Sequence, residues 1–92
     1  MPEPRPEELE ASARLDYLDA ALRAAELREE VSRAIGDAPD SAAARTAVAE
    51  LLAIPLERAE EVMELRLSRL TQAAVTEMCS ERAAIVARYG DP

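Results

Sequence analysis

The side chains able to do chemistry in this chain are few in kind. There is one thiol, Cys79, and there is no histidine; the eleven basic residues are all arginine, set against nineteen carboxylates. A reactive thiol needs a lowered pKa and exposure, whereas Cys79 is predicted on the apolar side of a helix, where it is an inert small hydrophobe. Alone, it cannot form an internal disulfide. Without histidine, a zinc ion would require an all-carboxylate shell, so neither a metal nor another cofactor is expected. The absence of lysine removes both a phosphate-binding P-loop lysine and a Schiff-base lysine. Arg66 and Arg69, three residues apart among glutamates, suit either a solvated, weakly paired helix face or carboxylates across a dimer. Arg88-Tyr89 is read as an ordinary helix-end pair.

The elements that must position these groups are helical. Twenty alanines against two glycines favour helix throughout, and no stretch alternates as a strand does. Met1-Pro2-Glu3-Pro4-Arg5-Pro6 alternates prolines and is expected to be a disordered tail over residues 1–6. A single helical domain follows over 7–90, with a short tail at 91–92. The first helix is predicted from Pro6 or Glu7 to Ile35, with Leu15, Leu18, Leu22 and Ala25 on one stripe. Leu27, Val31 and Ile35 continue that stripe after a small offset, and Gly36 suits a C-terminal cap. Asp40 or Ser41 caps a short second helix burying Ala44, Ala47, Val48, Leu51 and Leu52. Pro55 opens a third, from about Leu56 to Leu70, whose apolar stripe is Leu56, Ala59, Val62, Met63, Leu67 and Leu70, with Glu57, Glu60, Glu61 and Glu64 opposite. Thr71 caps a fourth, Gln72 to Tyr89, ended by Gly90. The fold class is thus all-α, with about four helices.

Size and charge narrow the function. A chain of 92 residues hides only about 60–65% of the surface its unfolded form exposes, so a partner would help it. Apolar residues make up 49% of it, without Phe or Trp, which favours closely packed helices. A net charge of −8 argues against direct nucleic-acid binding, since a polyanion is held chiefly by Lys and Arg on its phosphates. No apolar run approaches the roughly 20 residues of a membrane span. The expected location is cytoplasmic.

The segment Ala59-Glu60-Glu61-Val62-Met63-Glu64-Leu65-Arg66-Leu67-Ser68-Arg69-Leu70-Thr71 resembles a hallmark stretch of the A subunits of DNA gyrase and topoisomerase IV, with Arg66-Leu67-Ser68-Arg69-Leu70-Thr71 its specific part. Arg14-Leu15-Asp16-Tyr17-Leu18-Asp19-Ala20-Ala21-Leu22 is similar to that family's descending coiled-coil helix, and the likeness spans about residues 14 to 89. It implies the exit gate, or C-gate, of a type II topoisomerase: an antiparallel helical pair capped by a small helical knot that meets its twofold mate. A homodimer is therefore expected, with Val62, Met63, Arg66, Leu67 and Leu70 at the interface. The family's winged-helix domain with its catalytic tyrosine, its tower and its propeller have no counterpart in these residues, so the module is expected to be non-catalytic, a stand-alone interaction or scaffold protein. Arg88-Tyr89 lies far in sequence from the family's own Arg-Tyr pair. Gln72 stands where the family usually has glycine, and Pro55 where it has a Ser or Thr cap, so the turns are expected to differ locally.

Two alternatives accompany this reading. One is a regulator or self-protection factor acting on resident gyrase or topoisomerase IV by pairing with an A subunit. The other is an enzyme: Leu15-Asp16-Tyr17-Leu18-Asp19 with Leu22 is similar to a run in the first helix of small helical chorismate mutases. Those enzymes hold a dicarboxylate substrate with cations that normally include a lysine, and the 66–71 block has no counterpart in them.

Overall fold

Local chemistry near the ends of the elements sets most helix starts. The computed structural model describes residues 2–90; Met1 of the expected N-terminal tail and the expected tail at 91–92 lie outside the described residues. Arg5 is extended, and α1 runs Pro6–Glu26 with its proline at the helix start, where the missing N–H is not needed. Then come α2 Arg28–Asp37, α3 Ser41–Leu52, α4 Leu56–Met63, a 3-10 segment Leu67–Leu70 and α5 Gln72–Tyr89. The Asp40 carboxylate accepts from the Ala43 N–H at 2.8 Å and the Thr71 hydroxyl from the Ala74 N–H at 3.1 Å, the two side-chain caps expected. Pro55 precedes α4 as expected, and Gly90 closes α5 at φ 84°. Among the described residues there is no strand, and no helix is long and apolar enough to cross a membrane.

Four helices were expected, and the described residues form five α-helices. The first expected helix breaks at Leu27 (φ −104°, ψ 32°), at the offset in its apolar stripe. With the bend, Leu27 and Val31 pack against the core built by α1, α3 and α4. Gly36 caps nothing: α2 continues past it to Asp37, and the Ala38 N–H closes on the Ile35 carbonyl. The positive-φ cap falls instead on Ala53, at φ 54°, ψ 50°, after α3. The Ile54 N–H reaches back to the Ala49 carbonyl at 3.0 Å there, the bond that closes a Schellman turn.

The third expected helix, Leu56 to Leu70, also breaks. It ends at Met63; Glu64 caps it, Arg66 is extended, and the chain resumes as the 3-10 segment. The reason lies in two side chains. Arg66 comes four residues after Val62 and four before Leu70, so an unbroken helix would carry its charge on the apolar stripe, with Leu65 well off it. The break reverses both placements: Leu65 packs against the two core clusters and Arg66 is exposed. Burying Leu65 in place of a guanidinium outweighs the lost turns of helix.

The core has two parts. Ala20 and Ala24 of α1 meet Val48, Ala49 and Leu52 of α3 and Ala59 and Val62 of α4, while Leu18 and Ala21 of α1 meet Met78 of α5. The small side chains let the helices approach closely, and the molecule measures 45 × 32 × 16 Å, about two helix layers in its thinnest direction. Cys79 was expected on the apolar side of its helix but is exposed; the buried face of α5 runs through Ala74 and Met78, and Cys79 sits a hundred degrees or so around from Met78.

Polar pairs flank the α1–α5 contact. The Arg14 guanidinium donates two hydrogen bonds to the Glu81 carboxylate, Nη2 to Oε1 at 2.9 Å and Nε to Oε2. Arg82 Nε donates to Asp19 Oδ1 at 2.5 Å. The hydrogen bonds from Arg14 hold the Glu81 carboxyl below its ordinary range, and those to Glu81 raise the Arg14 guanidinium above its own.

Candidate functional site

Of the residues expected to meet a partner, four come together in space. Val62, Met63, Leu67 and Leu70 line a groove of about 210 Å³, with Ala24 and Arg28 at the α1–α2 bend, Val31, Ser32 and Ile35 along α2, and Leu65 in the link after α4. The break after Met63 builds this surface. Had α4 continued, Leu67 would fall in line with Leu56 and Met63 at the edge of the apolar stripe; in the 3-10 segment it projects outward, 83% exposed, beside the groove its neighbours form. Ile35 is 38% exposed on the opposite bank.

The expected residues do not all take the expected part. Val62 is only 6% exposed and belongs to the core cluster, so it floors the groove and cannot reach across to another molecule. Met63 and Leu70 are half-buried and divide their surface between core and groove. Arg66 is exposed in the extended link and is not among the groove's lining residues. Arg69 instead turns toward α5, its guanidinium 3.8 Å from the Glu77 carboxylate. Val31 and Ile35 were visible in the sequence as one helix stripe, but only the bend at Leu27 shows that they face α4. No sequence signal singled out Arg28.

The 3-10 segment is held at both ends. The Arg69 N–H donates to the Arg66 carbonyl at 2.9 Å and the Thr71 N–H to the Ser68 carbonyl at 3.5 Å. Across to the other bank, Arg28 Nη1 donates to the Leu70 carbonyl at 2.9 Å. Arg28 is the one charged side chain lining the groove, which is otherwise apolar apart from Ser32. Such a surface suits an apolar knob from another protein and offers little to a polar substrate.

Two other depressions carry charge. One, of about 360 Å³, lies between α1 and the α3–α4 turn and gathers Asp16, Asp19, Arg23 and Arg58 over Leu52, Ile54 and Pro55. Two of these four charges are compensated elsewhere within the chain, Asp19 by Arg82 and Arg58 by Glu61 at 2.7 Å. A dicarboxylate there would meet two carboxylates as well as two guanidiniums. The other, of about 340 Å³, lies between Glu8, Ser12 and Leu15 of α1 and Arg88-Tyr89, whose guanidinium stacks 5.3 Å from its neighbour's ring. Among the described residues no three His, Cys, Asp or Glu side chains converge as a metal site would require. The chain matches no family model, no curated protein and no solved structure.

Proposed function

We propose that this chain is a non-catalytic homodimerisation module, similar in design to the exit gate of the topoisomerase A subunit and used as a protein-interaction scaffold. In this reading α1 and α5 form the antiparallel pair: Arg14 meets Glu81, and further along α1 Leu18 and Ala21 meet Met78, earlier in α5; beyond the pair, Arg28 of α2 meets Leu70 of the 3-10 segment. The α2, α3, α4 and 3-10 segments form the knot at its end.

The observation that carries the reading is Leu67, 83% exposed beside an apolar groove of matching character. A knob next to a hole on the same surface is self-complementary: about a twofold axis, each copy's Leu67 enters the other's groove. Burying each leucine side chain contributes about 1.5–3 kcal/mol before the costs of association. A stable dimer needs roughly 800 Å² per partner, so the half-buried Met63 and Leu70 and the exposed Ile35 must be covered too.

Sedimentation equilibrium of the wild-type chain and of Leu67→Asp tests this. The expected result is a dimer in the first case and a folded monomer in the second; a wild-type monomer at high protein concentration overturns the proposal. A second reading shares the same surface. The block Arg66-Leu67-Ser68-Arg69-Leu70-Thr71 both carries the topoisomerase resemblance and presents the exposed knob, so a gyrase or topoisomerase IV A subunit is a candidate partner for it. Recovery of an A subunit with the tagged chain from source-cell extract, lost in Leu67→Asp, is the expected mark of such a regulator.

A further inference from the structure

We infer that Arg28 is a positioning residue for this surface, tying α1 to the 3-10 segment and thereby setting how Leu67 stands over the groove; the inference rests on the dimer reading above. Arg28 begins α2, one residue beyond the bend at Leu27. Its Nε donates to the Ala25 carbonyl at 2.8 Å, and its Nη1 donates to the Leu70 carbonyl at 2.9 Å, forty-two residues away in sequence. Both acceptors lie at the ends of helical segments, where carbonyls are left without helical partners. One planar guanidinium serves both, a geometry a lysine ammonium on its flexible stem does not reproduce.

The position of this tie gives it leverage. Leu70 is the last residue of the segment whose first is Leu67; the segment's start is held by the 2.9 Å bond from the Arg69 N–H to the Arg66 carbonyl, but toward its end the other ties are longer, 3.5 Å from the Thr71 N–H to the Ser68 carbonyl and 3.8 Å from Arg69 to Glu77. A 3-10 turn of four residues has poor internal hydrogen-bond geometry and depends on such outside anchors. Arg28 also lines the groove itself, so the same side chain fixes the knob and one bank of the hole. When it is lost, Leu67 samples other heights and the two halves of the self-complementary surface fall out of step.

The test is a double-mutant cycle read by sedimentation equilibrium on the full chain, with Arg28→Ala, Leu67→Ala and the pair together. Arg28→Ala is expected to raise the dimer Kd about tenfold, with Arg28→Lys in between. It is expected to add almost nothing once Leu67 is already alanine, because the tie acts through that side chain. Amide exchange at Arg69 and Thr71 is expected to quicken in Arg28→Ala while the α1 and α5 amides stay protected. If Arg28→Ala does not fold, Arg28→Gln, whose amide reaches one carbonyl, carries the comparison. A dimeric wild type with an unchanged Kd in the folded variant, or with fully additive effects, overturns the inference and leaves the dimer standing. A monomeric wild type overturns both.

Discussion

The two ends of the molecule solve the same shortage of large apolar side chains in different ways. Where α1 meets α5, Leu18, Ala21 and Met78 are almost fully buried and the seam is flanked by Arg14–Glu81 and Asp19–Arg82. Charged pairs beside a narrow apolar strip keep it from offering itself to another molecule. At the other end, alanines draw α1, α3 and α4 together around Val48 and Leu52, and the link after α4 leaves Leu67 and Ile35 facing solvent beside a groove. One end is closed within the chain; the other leaves apolar surface open, which in the proposed reading a second copy covers. An exposed leucine by itself is ordinary on a protein surface, and it gains meaning here from the hole next to it.

The largest effects should come from opening either core. Leu52→Ala and Met78→Ala each remove a side chain at 1% exposure and are expected to cost about 2–5 kcal/mol in urea unfolding. A cost below about 1 kcal/mol at Met78 would mean that the α1–α5 seam is not an independent source of stability. Leu67→Asp sharpens the contrast from the other side. It should abolish association while changing monomer stability, measured in dilute solution, by less than about 0.5 kcal/mol, as for most exposed positions.

A smaller effect is expected at Ala53, whose φ of 54° is costly for any residue with a β-carbon. Ala53→Gly should raise stability by about 0.5–1 kcal/mol, read as a higher urea midpoint with unchanged dimerisation.

The smallest concerns Arg14 and Glu81, whose side chains are 45% and 39% exposed, so that the pair contributes at most about 1 kcal/mol. Glu81 is lowered from 4.5, so its share of stability is complete above that unfolded value and drains away as pH falls through the lower folded one. Arg14 is raised above its ordinary value by its hydrogen bonds to Glu81, so its share is lost only in strong base. The melting-temperature difference between wild type and Glu81→Gln should therefore be present at pH 7 and vanish in strong acid. A difference that persists there would assign the effect to packing.

Much of this arrangement could be read from neighbouring residues alone. Asp40 and Thr71 were legible as caps because a cap is a bond to an N–H three residues on, and Pro55 and Gly90 because their backbone chemistry acts where they stand. The step from Ala25 to Leu27 in the first stripe was visible as an offset, though not as a break. The exposure of Cys79 was missed because Val75, Met78 and Cys79 all fit a broad apolar face, and only the neighbour on that face, α1, shows how narrow the contact is. Four of the candidate interface residues do gather at one groove, but Val62 lies beneath it and Arg66 beside it.

The sequence by itself determined that every described element is helical, because alanine-rich, glycine-poor segments with helical apolar spacing have no competing strand pattern. It also determined where α3, α4 and α5 begin, because those signals act within a single turn. Only the tertiary structure decided that the first and third expected helices would break. Helix propensities differ by less than about 0.7 kcal/mol among ordinary residues, so the choice passed to burial. Leucine 65 and arginine 66 exchange places only once there is a core for one to enter and the other to avoid. The reach of Arg28 to Leu70, across forty-two residues, likewise exists only after the bend at Leu27 and the turn after Met63 have brought the two banks of the groove together.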